Sequence, residues 1–141
     1  MVDLAFYLAG MPERLTVYTR GSLPWHPAAS VFAGAGITEK GVLFSYQANW
    51  GAPGRWGVEA LTANYRLIFR PMESLQVMRK GSVRVEQVEI DDSLDKTFKP
   101  GLYEQVKRFI DGEVTGLCTL SEQVDHWTHY CKIAGYTANN R

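Results

Sequence analysis

Cysteine is scarce: Cys118 and Cys131 are the only two in 141 residues, so no disulfide framework holds this chain together. Charge of one sign is also lacking. Fifteen Lys and Arg balance fifteen Asp and Glu, the formal net charge is zero and the sequence pI is about 6.8. A neutral chain projects no long-range field to gather a polyanion, which argues against nucleic acid or an anionic membrane as partner. No apolar run approaches the roughly 20 residues that cross a bilayer. Asp3 stands where a secretory leader needs basic residues, and no small-residue cleavage site follows it. Cytoplasm is the expected compartment. Catalytic signatures are missing as well: the sequence holds no GxSxG, P-loop, HExxH or CxxC.

What is present suits a folded protein. Hydrophobic residues make up 45% and charged residues 21%, ordinary values for a globular chain. At 15.9 kDa one core suffices, and a single domain over residues 1–141 is expected. The period of the apolar residues changes twice along it.

Val2, Phe6 and Ala9 share one face of a short opening helix that Gly10 can cap and Pro12 stops. From Glu13 to Ile90 the pattern alternates. Leu15, Val17 and Thr19 oppose Arg14, Thr16, Tyr18 and Arg20; Ser30 to Ile37 forms a second strand; TEKG is a turn; Phe44, Tyr46 and Ala48 oppose Ser45, Gln47 and Asn49. Hairpins are expected about Thr62–Asn64 and about RKGS, with a bulge near Glu86 or Gln87 because Val83 and Val85 fall out of phase with Val88 and Ile90. Helical spacing then returns at Leu102 to Gly112. Thr119 and Glu122 have the spacing of a capping box, and Leu120, Val124, Trp127, Cys131 and Ala134 form the inner stripe of a last helix. Strands followed by helices indicate the α+β class: a mostly antiparallel open sheet of about six strands, with helices on one face and a half-polar face left for solvent, a ligand or another subunit.

Few residues invite chemistry. Gly34 to Gly41 is glycine-rich but lacks dinucleotide spacing, and a strand follows it where phosphate binding needs a helix N-terminus. Glu122, His126 and His129 could share a helix face and hold a metal, yet no fourth ligand or orienting partner is visible and a solvated polar face is the preferred reading. His26, in LPWHP, reads as a loop residue, Cys131 as a buried thiol, and Cys118 gives no nucleophile signal. The segment NWGAPGRWG, Asn49 to Gly57, is different. Trp50, Trp56 and Arg55 offer stacking planes and a planar cation suited to sugar rings and anionic groups; a hairpin connection whose tryptophans close the core edge is the other reading. Lys99 and Tyr103, at the start of a helix, form a second candidate beside the plainer reading of surface decoration.

The order of MVDLAFYLAGMPE, SYQANWGAPGRWGVEA, LYEQVKRFIDGE and LCTLSEQVDHWTHYCKIAGY resembles the C-terminal portion of the Gfo/Idh/MocA oxidoreductases. The resemblance covers nearly the whole chain and lies in the order of the pieces rather than in a strict motif. It implies an NAD(P)-dependent enzyme acting on sugars, sugar nucleotides or cyclitols, with an N-terminal Rossmann domain and a C-terminal antiparallel sheet. It also implies that the catalytic His, the Lys of the Glu-Lys-Pro segment and the cofactor-binding glycines lie upstream of Met1, so that these residues form a fragment. Asp3 then matches a carboxylate that supports the helix. No catalytic, cofactor or metal-binding residue is expected here. Trp50, Arg55 and Trp56, and more weakly Lys99 and Tyr103, are the expected substrate contacts.

The expected function is therefore the substrate-binding and oligomerisation portion of a sugar dehydrogenase, inactive alone. NAD or NADP would serve the full-length enzyme, a sugar-type small molecule would be the ligand, and a homo-oligomer would form through the open sheet face. The alternative is a stand-alone sugar-binding or self-associating scaffold without catalysis.

Overall fold

A computed structural model describes residues 1–136. The elements run α1 (Val2–Ala9), β1 (Pro12–Arg20), β2 (Val31–Thr38), β3 (Leu43–Asn49), β4 (Val58–Leu61), β5 (Tyr65–Phe69), β6 (Leu75–Arg79), β7 (Val85–Val88), α2 (Ser93–Thr97), α3 (Leu102–Asp111) and α4 (Leu120–Ala134). Every strand pairing is antiparallel, and the class is α+β as expected. The strands nonetheless divide between two sheets, β1-β2-β3 and β4-β5-β6-β7, where one sheet of about six was anticipated. The chain correspondingly separates into two compact units: Val2–Gly54 with the segment from Leu120, and Arg55–Thr119.

The first unit is built on β2. Its VFAGAGIT sequence places Phe32, Gly34 and Gly36 on one face and Val31, Ala33 and Ala35 on the other. On the inner face Gly34 faces Tyr46 and Gly36 faces Phe44 across the β2–β3 ladder. The two rings lie over the space the glycines leave. A Cβ added to Gly34 would meet the Tyr46 ring at 2.5 Å, and one added to Gly36 would meet the Arg14 carbonyl and the Phe44 ring. Burial against this wall pushes the Tyr46 hydroxyl above its ordinary pKa.

Helix α1 docks through Phe6, whose buried ring meets Phe44 edge-on at 5.5 Å. Its last turn closes where Gly10, at φ 90°, donates to the Phe6 carbonyl. Thr38, fully buried, then fastens it: the hydroxyl donates to the Ala9 carbonyl at 2.8 Å and accepts from the Val42 amide at 3.2 Å.

Helix α4 packs on β1 and β2 and ends in a Schellman arrangement. Tyr136 N–H donates to the Cys131 carbonyl and Gly135 N–H to that of Lys132, with Gly135 at φ 75°. Only its C-terminal half is seated. Cys131 is buried as expected, but Leu120 and Val124 are 81% and 63% exposed, so the anticipated inner stripe does not run the length of the helix. Helical spacing marks which residues share a face, and packing decides how much of that face finds a partner.

The second unit is a four-stranded meander. Thr62 closes the β4–β5 turn, its hydroxyl donating to the Tyr65 carbonyl while accepting from the Tyr65 amide. The anticipated bulge near Glu86 is absent: Leu75 to Met78 pair with Val88 to Val85 without a shift. Val83 falls outside β7, in the turn, which accounts for its phase. The register shift among the strands lies instead between Pro12 and Arg14 in β1. Helix α2 was not anticipated; five residues are too few to show a period, and it is supported locally by Ser93 N–H on Asp91 Oδ1 and by the Lys96–Asp92 ion pair. Helix α3 lies between two left-handed glycines, Gly101 and Gly112, and none of its residues is buried.

Candidate functional site

The richest side-chain cluster in the first unit forms where the β1–β2 loop meets the end of β3. In that loop Leu23 and His26 exchange both backbone hydrogen bonds at 3.0 Å, closing a tight turn with Pro24 and Trp25 at its centre. Proline suits the first central position because its φ is already set. The turn presents Trp25, 70% exposed, flat against Trp50: the ring centroids are 4.9 Å apart and the planes 12° from parallel. Trp50 sits one residue beyond β3, and its amide prolongs the ladder by donating to the Ser30 carbonyl.

His26 supports this pair from beneath. It is buried, its Nδ1 lies 2.8 Å from the Ala29 carbonyl, and its ring stands at a steep angle to Trp50 (5.2 Å). Phe32 and Tyr136 complete the group, the latter delivered by the C-terminal turn of α4. The result is an indole plane with a solvent-facing surface, backed by four further rings. Such a plane, stiffened by its neighbours, offers a pre-ordered stacking surface to a flat apolar ring face.

Glycine-rich Gly34 to Gly41 does not suit a pyrophosphate. Gly34 and Gly36 are paired on both sides within the central strand, and the space beside their Cα atoms is already taken by Tyr46, Phe44 and the Arg14 carbonyl. Gly34 and Gly36 thus leave no open backbone cradle for a phosphate.

The candidate metal ligands behave differently from a coordination set. His126 Nδ1 lies 3.5 Å from Asp3 Oδ1 and 3.3 Å from Tyr130 Oη, and Tyr130 donates to Asp3 at 2.5 Å. This network ties the first turn of α1 to α4. Burial, with nearby His126 and Lys132, holds the His129 imidazole below its ordinary pKa. Among the described residues no group of three His, Cys, Asp or Glu side chains is arranged to hold a metal ion.

The anticipated substrate contacts fall in three places. Trp50 belongs to the aromatic cluster. Arg55 and Trp56 are exposed at the start of the second unit, ahead of β4. Lys99 and Tyr103 lie at the α2–α3 junction, with the Tyr103 ring stacked on Phe98 at 4.9 Å. Trp25 went unrecognised in the sequence. Its signal was a tryptophan between two prolines in LPWHP, a place where an aromatic is held on a turn rather than in a core.

No protein-family model, curated protein or solved structure matches the chain. Among the described residues no helix is long and apolar enough to cross a membrane.

Proposed function

We propose that this chain is the substrate-binding and oligomerisation portion of an NAD(P)-dependent oxidoreductase acting on sugars, sugar nucleotides or cyclitols. It grips the sugar and performs no hydride transfer itself; the nicotinamide belongs to a nucleotide-binding domain outside these 141 residues. One observation supports the reading above all: the exposed Trp25 plane stacked on Trp50. A pyranose presents an apolar C–H face to such a plane, while its hydroxyls stay in water or meet polar neighbours. The order of segments that resembles the Gfo/Idh/MocA C-terminal portion supports the oxidoreductase context.

Self-association is assigned to the exposed face of β1-β2-β3. There Tyr18, Ala33 and Gln47 form one cross-strand row and Thr16, Ala35 and Ser45 the next. Small residues on the central strand leave a shallow surface on which a second sheet can lie.

Intrinsic fluorescence titration with a panel of neutral monosaccharides and cyclitols tests the sugar reading. At least one compound should give a saturable change, and Trp25→Ala should weaken it by up to about tenfold, the size expected for one stacking contact of about 1.4 kcal/mol. A flat response across the panel, or unchanged affinity in the variant, rejects the sugar site. Micromolar binding of NADH or NADPH by the chain alone rejects its non-catalytic assignment.

A further inference from the structure

Each sheet has two edge strands: β1 and β3 in the first unit, β4 and β7 in the second. An edge strand presents a row of backbone N–H and C=O groups that a further strand can take up, and proteins blunt such edges with proline, charge or shortness. Three of the four edges are blunted in this way. β1 carries Pro12, Glu13, Arg14 and Arg20, while β4 and β7 have four residues each and hold Glu59 and Glu86. β3 has none of these devices. It runs for seven residues, LFSYQAN, without proline, and no charged residue occurs from Gly41 to Gly54.

Register fixes which of its backbone groups point outward. Trp50 N–H donates to the Ser30 carbonyl and Thr38 N–H to that of Val42, so along the antiparallel ladder Phe44, Tyr46 and Ala48 also turn their N–H and C=O groups to β2. The backbone groups of Leu43, Ser45, Gln47 and Asn49 point the other way, and no strand among the described residues pairs with them. Their side chains lie on the exposed face of the sheet. On the inner face the two large rings lean back: a Cβ on Gly34 would meet the tip of the Tyr46 ring, and one on Gly36 that of Phe44. Both rings therefore lie toward β2 and leave the outer edge of β3 bare of its own side chains.

We infer that β3 is a homodimerisation edge: β3 of a second copy of this chain pairs with it antiparallel about a two-fold axis at Tyr46, joining two three-stranded sheets into one of six. An axis at Tyr46 uses all four outward residues. Ser45 faces Gln47 of the second copy and Leu43 faces Asn49, and each of the four resulting pairs exchanges two hydrogen bonds, about eight in all. A typical interface carries about 5–15. The strand is also complementary to itself in side chains. Polar Ser45 lies beside polar Gln47, Phe44 beside small Ala48, and the two Tyr46 rings diverge from the axis over their own glycines. No like charges meet, since β3 carries none. This self-complementarity assigns the edge to a second copy rather than to a foreign extended peptide. The edge is distinct from the sheet face assigned above, and its pairing does not depend on sugar binding.

Sedimentation equilibrium from micromolar to millimolar chain, with directed cross-linking, tests this. The wild-type chain should dimerise reversibly, and Ser45→Pro should weaken the dimer at least tenfold. Proline there removes an N–H that points away from β2, a position an edge strand tolerates, so the variant should keep the wild-type circular dichroism. Cross-linking reads the register without relying on that variant. In a Cys118→Ser background, a mixture of Ser45→Cys and Gln47→Cys chains should give the mixed disulfide on mild oxidation, because the two positions lie about 5.5 Å apart across the pair. Either chain alone should link far less, its cysteines being about 9 Å apart and beyond disulfide reach. A strictly monomeric chain overturns the inference, as does a mixed disulfide that fails to exceed the two homodisulfides. A dimer indifferent to Ser45→Pro overturns it too, and if that dimer yields to Ala35→Arg the sheet face is the interface instead.

Discussion

Replacing Thr38 by valine removes a hydroxyl while keeping the side chain's shape, and so isolates two hydrogen bonds. Thr38 is fully buried; its hydroxyl reaches the Ala9 carbonyl at the end of α1 and the Val42 amide just ahead of β3. Valine leaves both groups without that partner. At about 1 kcal/mol for each bond lost, and somewhat more if the Ala9 carbonyl stays dry, the cost is about 2 kcal/mol. For a cooperative unit of 60–100 residues this lowers the melting temperature by about 8–16 °C. Thr38→Ser keeps the hydroxyl and removes one buried methyl, about 1 kcal/mol, so its midpoint should lie between wild type and valine. The assay is thermal and urea unfolding followed by circular dichroism, with amide exchange read on α1, which should lose protection first in Thr38→Val. If the valine variant matches wild type within about 0.5 kcal/mol while the serine variant does not, packing rather than hydrogen bonding fastens the helix and the reasoning fails.

Gly34→Ala should destabilise by about 1–3 kcal/mol through overpacking, because the new Cβ would lie 2.5 Å from the Tyr46 ring; an unchanged urea midpoint would show that the ring moves aside freely. The folded chain binds a proton at His129 less readily than the unfolded chain does, since its pKa is held below the ordinary 6.5. Its contribution to stability is therefore complete above about pH 6.5 and declines as the pH falls from there toward the lower folded value. Urea midpoints measured between pH 7.5 and 5 should show that decline in wild type and a shallower one in His129→Gln; parallel profiles would assign the effect to other groups.

Local chemistry was readable wherever one residue type decides a conformation. Pro12 and Gly10 ended α1, Thr62 and Asn64 marked a turn, and the alternation of β3 placed Phe44, Tyr46 and Ala48 on the inner face. Trp50 was legible as an aromatic at a strand end, whereas its stacking on Trp25 was not, because the two are joined only through a turn and a strand register. The burial of His26 was hidden for the same reason.

The 141 residues alone thus determined the α+β class, most element boundaries and the zero net charge, since each follows from side-chain period, turn chemistry or summed charge. Tertiary structure alone decided that the seven strands among the described residues split into two sheets, that α4 seats only its C-terminal half, and that Asp3, His126 and Tyr130 come together between α1 and α4. Period says which residues point the same way. Which of those faces is covered, and by what, depends on contacts between positions far apart in the chain, and no local pattern encodes them.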